Sequence, residues 1–426
     1  LQSHIPYFFR RSSRAILPLL QSLGILDKIE KRGERMKIAG VIAEYNPFHS
    51  GHEWHLAETR RRTGCDFVVV CMAGSYVQRG EAACLSKWAR AEAALRCGAD
   101  AVFELPALFA VRSADAFARG GVGVLDGLGV DALSFGCETT RLQTIEALAG
   151  LREYEPEALS DAVRRGLAEG KSHARARGEA VAAMLGMEPE ALNAPNLVLA
   201  AEYVRQLRRR SSAMEIAVVP RAGDYHDADV RAPFASATAV RAALAEGRKV
   251  EALAAVPEAA REILSRAGSM HAPDDRLLWR LRQTSEAELS ALPGVAEGLE
   301  RRILRCASGA STREELLDAL KCKRYTRARL SRILACALLG LTNALAERHP
   351  EPEYARLMGM RRDARPLLSE LKRRAKLPIV SDPVRLQSDE CFQLENRATD
   401  LRALQCDDPS ERRAGQELTR KFVMVE

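Results

Sequence analysis

The stretch GVIAEYNPFHSGHEWHL (residues 40–56) decides how the chain is read. It begins as an apolar, β-branched strand, turns at Asn46–Pro47, and leaves the turn with helical character. His49, His52 and His55 are spaced three apart, although the whole chain holds only eight histidines. A zinc site on one helical face wants histidines at i and i+4 with a glutamate or a third ligand, and spacing of three with no acidic partner fits that poorly. Satisfied core histidines are the second reading, strongest for His55, deepest in the helix. The third is anion binding. The first helix after the first strand of an α/β sheet offers free N–H groups and the positive end of its dipole. Ser50 is the expected N-cap, Gly51 admits close backbone approach, and His49 and His52 add donors from one side.

Working outward, short apolar runs alternate with helical periodicity. KIAGVIAEY, DFVVVCMAG, AVFELP, DALSFGCE and MEIAVVPR read as strands, with helices between them such as GHEWHLAETRRRTG, ending at Gly64, and LSKWARAEAALRCGAD. That pattern predicts parallel βαβ units. Ligands then belong beyond the carboxyl ends of the strands, where EYNPFHSGH, GSYVQRG, FGCE and RAGDYH fall. After about residue 240 the strand signals fade, and segments rich in Ala, Leu, Arg and Glu predict helix, including the run from Thr312 to Leu341.

Composition sets the limits. A chain of 426 residues, 47% hydrophobic and 28% charged, predicts a globular protein of two domains. No apolar run approaches the roughly 18–20 residues a membrane span needs. The net charge of +7 is a weak pointer to an acidic partner. None of the ten cysteines forms CxxC, so reduced thiols in a cytoplasmic protein are expected, with no structural metal. Residues 1–35 precede the first methionine, Met36, and contain FFRRSSRAILPLLQSLGIL, which reads as a transit peptide or as upstream sequence included by a mis-assigned start. In either case they are expected to be a disordered extension that takes no part in the fold.

A second element answers the first. FASATAVR (234–241) sets Ser236, Thr238 and Arg241 at the start of a helix, where hydroxyls cap and the guanidinium reaches back toward phosphate oxygens. An HxGH motif on the first helix followed by an (S/T)xxxR-type segment resembles the nucleotidyltransferase superfamily shared with class I aminoacyl-tRNA synthetases. Seven ordered segments narrow the resemblance: GVIAEYNPFHSGHEWHL, GSYVQRGEAA, KWARAEAALRCGADAVFELP, SADAFARGGVGVLDGLGVDALSFGCE, APNLVLAAEYVRQL, RAGDYHDADV and FASATAVRAAL. Together, from Met36 into the C-terminal region, they resemble the tRNA(Met) cytidine acetate ligase family.

The resemblance implies an α/β, Rossmann-like HxGH nucleotidyltransferase domain with a parallel sheet (36–265), followed by a mostly α-helical, tRNA-binding region (266–426). The implied enzyme is a ligase that uses ATP and Mg²⁺ to turn acetate into acetyl-adenylate. It then acetylates N4 of the wobble cytidine of elongator tRNA(Met), and no stable protein partner is implied. Carried over by position, the ATP site maps to Ile42, Ala43, Glu44, Tyr45, Asn46, Pro47, Phe48, His49, Ser50, Gly51, His52, Glu53, Trp54 and His55. It continues at Gly136, Asn196, Arg221 and Ala222, with Ser236 and Thr238 in the clamp and His49, His52 and Arg241 as the catalytic groups. Cys137 departs from the family, where serine is expected, and a thiol is the weaker donor. Glu44 and Asp224 fall on loops near the site, without an assigned role as general base.

KCKRYTRARLSR (321–332) carries six basic residues and no acidic one. Lys321, Arg324, Arg329 and Arg332 are expected to share a helical side suited to a phosphate backbone, with Lys323 and Arg327 beside them; a solvated helix face is the plainer reading. Two rival functions stay open: a small-molecule adenylyltransferase of the same superfamily, and a non-catalytic RNA-binding protein.

Overall fold

The computed structural model describes residues 35–221, 230 and 234–426. Residues 1–34, where most of the expected extension falls, lie outside the described residues, as do Ala222 and Asp224. The chain divides into a unit of residues 1–37 and one of residues 38–426; the architecture below is that of the second.

Five strands follow the sequence reading: β1 (Ile38–Ala43), β2 (Phe67–Ala73), β3 (Ala101–Leu105), β4 (Ala132–Cys137) and β5 (Glu215–Pro220). They pair in parallel in the order β3-β2-β1-β4-β5. Helices α1 (Ser50–Thr63), α2 (Lys87–Arg96), α3 (Ala114–Gly127) and α4 (Pro195–Arg209) fall between them. Both faces of the sheet are covered, so β2 is apolar throughout rather than alternating. Val69, Cys71 and Ala73 enter one core, while Val68, Val70 and Met72 enter the other.

Beyond residue 240, helices dominate as expected, but three further strands complete the sheet. β6 (Ala355–Arg361) runs antiparallel to β3, while β7 (Ile379–Val380) and β8 (Val423–Val425) run parallel to its opposite edge. None carries a strand signal. ARLMGMR is buried at six of its seven positions, so it lacks alternation and contains both an arginine and a glycine. The other two strands hold two and three residues, too few for periodicity to register.

Buried charge ties these late elements to the early ones. Lys87 at the start of α2 forms ion pairs with Glu104 of β3, with Glu417 at 2.6 Å and with Glu395 of α10 (Glu390–Ala403) at 3.7 Å. Arg356 of β6 pairs with Glu104 at 2.9 Å and with Glu417. Burial disfavours the charge of Glu104, but Lys87 and Arg356 outweigh it and hold that carboxyl below its ordinary range. Burial, reinforced by the neighbouring carboxylates, pushes Glu395 well up. Three carboxylates thus share two cations, and burial sets itself against the ionised form of Glu395.

The helical region has its own core, in which Leu277, Leu281, Ile303, Leu316 and Ile333 meet. The run from Thr312 to Leu341, read as continuously helical, is broken into α8 (Arg313–Leu320) and α9 (Arg327–Leu339). Thr326 caps α9 through its side chain, and Tyr325 is buried, with its hydroxyl donating to Ala296 O at 3.2 Å. The capping and the anchored tyrosine override the helical propensity of the flanking residues. Helix α9 meets the sheet's loops at Gly80, which has φ +72° and where a Cβ would stand 2.5 Å from the Ser331 backbone. Only glycine fits there.

Candidate active site

The carboxyl ends of β1 and β4 flank the point at which the strand order reverses, the position at which open α/β sheets bind ligands. Ile42 and Ala43 end β1, half-buried. Tyr45, Asn46, Pro47 and Phe48 form a buried turn, with Asn46 Oδ1 accepting from Cys84 N at 2.8 Å.

The turn delivers His49, and not Ser50, as the N-cap of α1. His49 Nδ1 accepts from Gly51 N at 3.1 Å, and His52 Nδ1 accepts from His49 N at 3.2 Å. This is a reciprocal capping box in which imidazoles take the places usual for serine and glutamate. Ser50 has become the first helical residue, and its hydroxyl donates to Ala255 O at 3.1 Å. Gly51 sits under the His49 ring, where a Cβ would come within 2.9 Å of Cε1. The two rings lie 3.7 Å apart, centroid to centroid, with Tyr45 edge-on to His52 at 4.8 Å.

An acceptor at Nδ1 places the ring proton on Nε2. Burial lowers the His49 pKa to about 3, helped by Arg221 and Arg241, and holds His52 well below its ordinary value, helped by its histidine neighbours and Arg221. Burial alone takes His55 to about 4. At neutral pH the rings are thus uncharged, and His49 and His52 each have one Nε2–H to give. His55 stands apart from this pair, 3.4 Å from Ser134 Oγ of β4, which also contacts Thr59 Oγ1 at 2.7 Å.

These folded-state values lie below the unfolded 6.5, so the unfolded chain binds more protons between the two. The histidine contribution to stability is complete above about 6.5 and is lost as pH falls toward about 3. NMR titration of the imidazoles is expected to show His49 and His55 unprotonated at pH 5.5; midpoints near 6.5 would refute the buried-neutral assignment.

Opposite this cap stands helix α5 (Ala237–Ala245), capped by Ser236, whose Oγ accepts from Ala239 N at 3.1 Å. Arg241 donates to Asn46 O at 2.5 Å and to Thr238 Oγ1 at 3.3 Å, so it joins the two motifs directly. Trp54 meets Phe234 at 6.0 Å between ring centroids, while Glu53 is exposed. At the end of β4, a Cβ on Gly136 would touch nothing within 4 Å, leaving room above the strand. Cys137 is fully buried in the core, where burial pushes its thiol up to about 11. Its thiol donates to Glu138 Oε2 at 3.9 Å, so the departure from serine bears on the hold of that carboxylate. Asn196 Nδ2 donates to Glu138 Oε1 at 2.8 Å, and Arg221 lies 3.9 Å from the same oxygen.

Glu138 gathers α4 and the end of β5 onto β4, a role its position two residues after Gly136 did not declare. Arg90 of α2 is a second such group. Fully buried, it donates to Glu44 O at 2.7 Å, Ala73 O at 2.9 Å, Leu85 O at 3.2 Å and Gly74 O. It thereby fixes the ends of β1 and β2 to one another, and in the sequence it is simply one arginine in an alanine-rich helix. Glu44 accepts from Gln78 N at 2.8 Å, and burial raises its pKa against the pull of Arg79, Arg241 and Arg90.

The basic run does not form the expected single face. Lys321, Lys323 and Arg324 lie in the break before α9. Arg324 pairs with Glu297 at 2.8 Å, and Arg327 with Asp318 at 2.6 Å and with Glu314. Arg329 donates to Gly294 O at 2.8 Å and lies over Tyr325. Arg332 is half-buried on α9.

Residues 36–417 match the HIGH Nucleotidyl Transferase family. The tRNA(Met) cytidine acetate ligase of Acetivibrio thermocellus is 33% identical over 92% of this chain and 100% of its own length. That of Bacillus subtilis is 35% identical over 88% of this chain and 94% of its own. The crystal structure of Thermotoga maritima TmcAL bound with alpha-thio ATP superposes with a TM-score of 0.82 at 30% identity, covering 92% of this chain and 100% of that one. The apo form of that protein gives a TM-score of 0.84. Matched by the HIGH Nucleotidyl Transferase family over residues 36–417 and aligned with these relatives along nearly their whole length, this chain belongs to the tRNA(Met) cytidine acetate ligase family.

Proposed function

We propose that this protein activates acetate with ATP and transfers the acetyl group to N4 of the wobble cytidine of elongator tRNA(Met), in the cytoplasm. The observation that carries the reading is the paired-imidazole cap at His49 and His52, joined to Arg241 through the Asn46 carbonyl. The same fold, at 30% identity, holds alpha-thio ATP in Thermotoga maritima TmcAL.

In the first step an acetate oxygen attacks the α-phosphorus of ATP and pyrophosphate leaves. The Nε2–H groups of His49 and His52 meet the phosphates from one side, since the first-turn N–H groups of α1 are already given to His49 Nδ1, His49 O and Ala255 O. Arg241, with Ser236 and Thr238 at the start of α5, closes the other. The open space above Gly136, bordered by Glu138, Asn196 and Arg221, takes the nucleoside. Neutral donors suit this work, because they stabilise charge developing in the transition state without locking the triphosphate in the ground state. Mg²⁺ arriving with ATP would be held chiefly by phosphate oxygens and water, with Glu44 as the carboxylate on the same turn, and would neutralise the charge that builds on pyrophosphate. In the second step the cytosine amine attacks the acetyl carbonyl and AMP leaves. That base has to be unstacked from the anticodon loop to reach the site. Lys321, Lys323 and Arg332 supply cations for the RNA, while Arg324, Arg327 and Arg329 are committed to protein partners and reach phosphate only by exchanging them.

The test is incubation with ATP, Mg²⁺, labelled acetate and elongator tRNA(Met), without acetyl-CoA. N4-acetylcytidine at the wobble position, absent when ATP is omitted, is the expected result. Pyrophosphate release without label in the tRNA would favour the small-molecule adenylyltransferase, and neither signal would leave the RNA-binding protein.

A further inference from the structure

Between β2 and α2 a short antiparallel hairpin pairs Tyr76–Val77 with Glu81–Ala82, leaving Gln78, Arg79 and Gly80 as its loop. Gly80 N donates to Val77 O at 2.9 Å, and Gly80 takes the left-handed conformation that closes three-residue hairpin loops. The loop is therefore one stiff turn, and it is held from two sides. On one side Gln78 N donates to Glu44 Oε1 at 2.8 Å, just beyond the carboxyl end of β1. On the other, Ser331 Oγ of α9 donates to Arg79 O at 2.5 Å. Arg313, the first residue of α8, donates through Nη2 to that same hydroxyl at 2.5 Å and to Gly80 O at 3.4 Å. Ser331 is buried, and only 12% of the Arg313 side chain is exposed. A charged donor, a hydroxyl and a peptide carbonyl thus form a chain in which each bond polarises the next. Late residues grip the arms of the hairpin as well. Thr399 Oγ1 meets Ser75 Oγ at 2.7 Å, Arg402 donates to Ala83 O at 2.9 Å, and Gln405 donates to the Tyr76 hydroxyl at 3.0 Å.

We infer that Ser331 and Arg313 are positioning residues for acetate activation: they hold the 78–80 turn and, through Gln78 N, the Glu44 carboxylate. This rests on the reading of the chain as an acetate-activating ligase. Glu44 stands two residues before Asn46, whose carbonyl takes Arg241, so its carboxylate belongs to the turn that serves the phosphates. Held at Oε1, that carboxylate keeps one orientation. Released, it swings, and a misplacement of about 1 Å at a reaction centre costs up to about 10²-fold in rate. The helical region then serves the ATP step itself, and not only the RNA.

S331A and R313Q, made in the full chain and assayed without tRNA, test this by two readings. Amide hydrogen exchange at Gln78 is expected to speed up about tenfold in each, the factor to which one net hydrogen bond corresponds. That reading needs no substrate. Acetate-dependent ATP–pyrophosphate exchange is expected to lose about 10–10²-fold in turnover, with the KM for ATP within about twofold of wild type. I303V loosens the core of the same helical region without touching the turn, and is expected to leave both readings at wild-type values. Unchanged exchange at Gln78 in a folded S331A or R313Q overturns the positioning role, as does unchanged turnover or an equal loss in I303V. If the wild type shows no acetate-dependent exchange, the ligase reading falls, and hydrogen exchange at Gln78 alone decides whether the clamp holds Glu44.

Discussion

Replacing His52 with alanine is expected to reduce acetate-dependent ATP–pyrophosphate exchange by about 10²–10³-fold, the loss typical of removing one preorganised donor to developing charge. The imidazole does two things. Its Nδ1 accepts the His49 N–H at 3.2 Å and completes the cap, and its Nε2–H remains for phosphate. Losing a cap costs helices about 1 kcal/mol, too little to unfold a domain of this size. Activity is therefore expected to fall far more than the midpoint of urea unfolding. Equal losses in both would reduce His52 to a structural cap.

Lys87→Met is expected to cost about 3–5 kcal/mol of stability, the range for breaking one partner out of a buried ionic cluster. Lys87 is fully buried, and its removal leaves Glu104, Glu395 and Glu417 facing Arg356 alone. Urea denaturation measures the loss, and pH checks its cause. In the wild type Glu104 is held below its ordinary range, so its contribution is present above that range and is lost as pH falls through the folded value. In the variant the carboxylates are short of a cation and readily take up protons, so the deficit relative to wild type is expected to shrink as pH falls from 7 to 4. A deficit independent of pH would assign the loss to packing.

The site was legible in residues 40–56 and 234–241 because its chemistry is local. A turn, a helix start and the groups that serve it are neighbours in the chain, and strand–helix alternation placed both segments at the ends of strands. Within that frame the cap fell on His49 rather than Ser50, since which residue is the last non-helical one depends on how the buried turn at Tyr45–Phe48 directs the chain. Arg90 and Glu138 were not legible at all. Their roles consist of bonds to carbonyls and side chains far along the chain, and no spacing rule records such bonds.

The C-terminal third shows the same division. Its helices follow from composition, whereas β6, β7 and β8 are strands only because β3 offers an unpaired edge and Lys87 and Glu104 offer charges that Arg356 and Glu417 complete. The basic run at 321–332 is a property of the sequence, but which of its cations face solvent was decided by Glu297, Asp318 and the Gly294 carbonyl. The family, the parallel sheet and the two motifs were readable from the chain alone, because each strand, helix and motif is itself a pattern among neighbouring residues and their order along the chain does the rest. The tertiary structure decided the cap, the sheet's far edge and the fate of each charge, because a buried or paired group takes its energy from neighbours that the chain brings together only on folding.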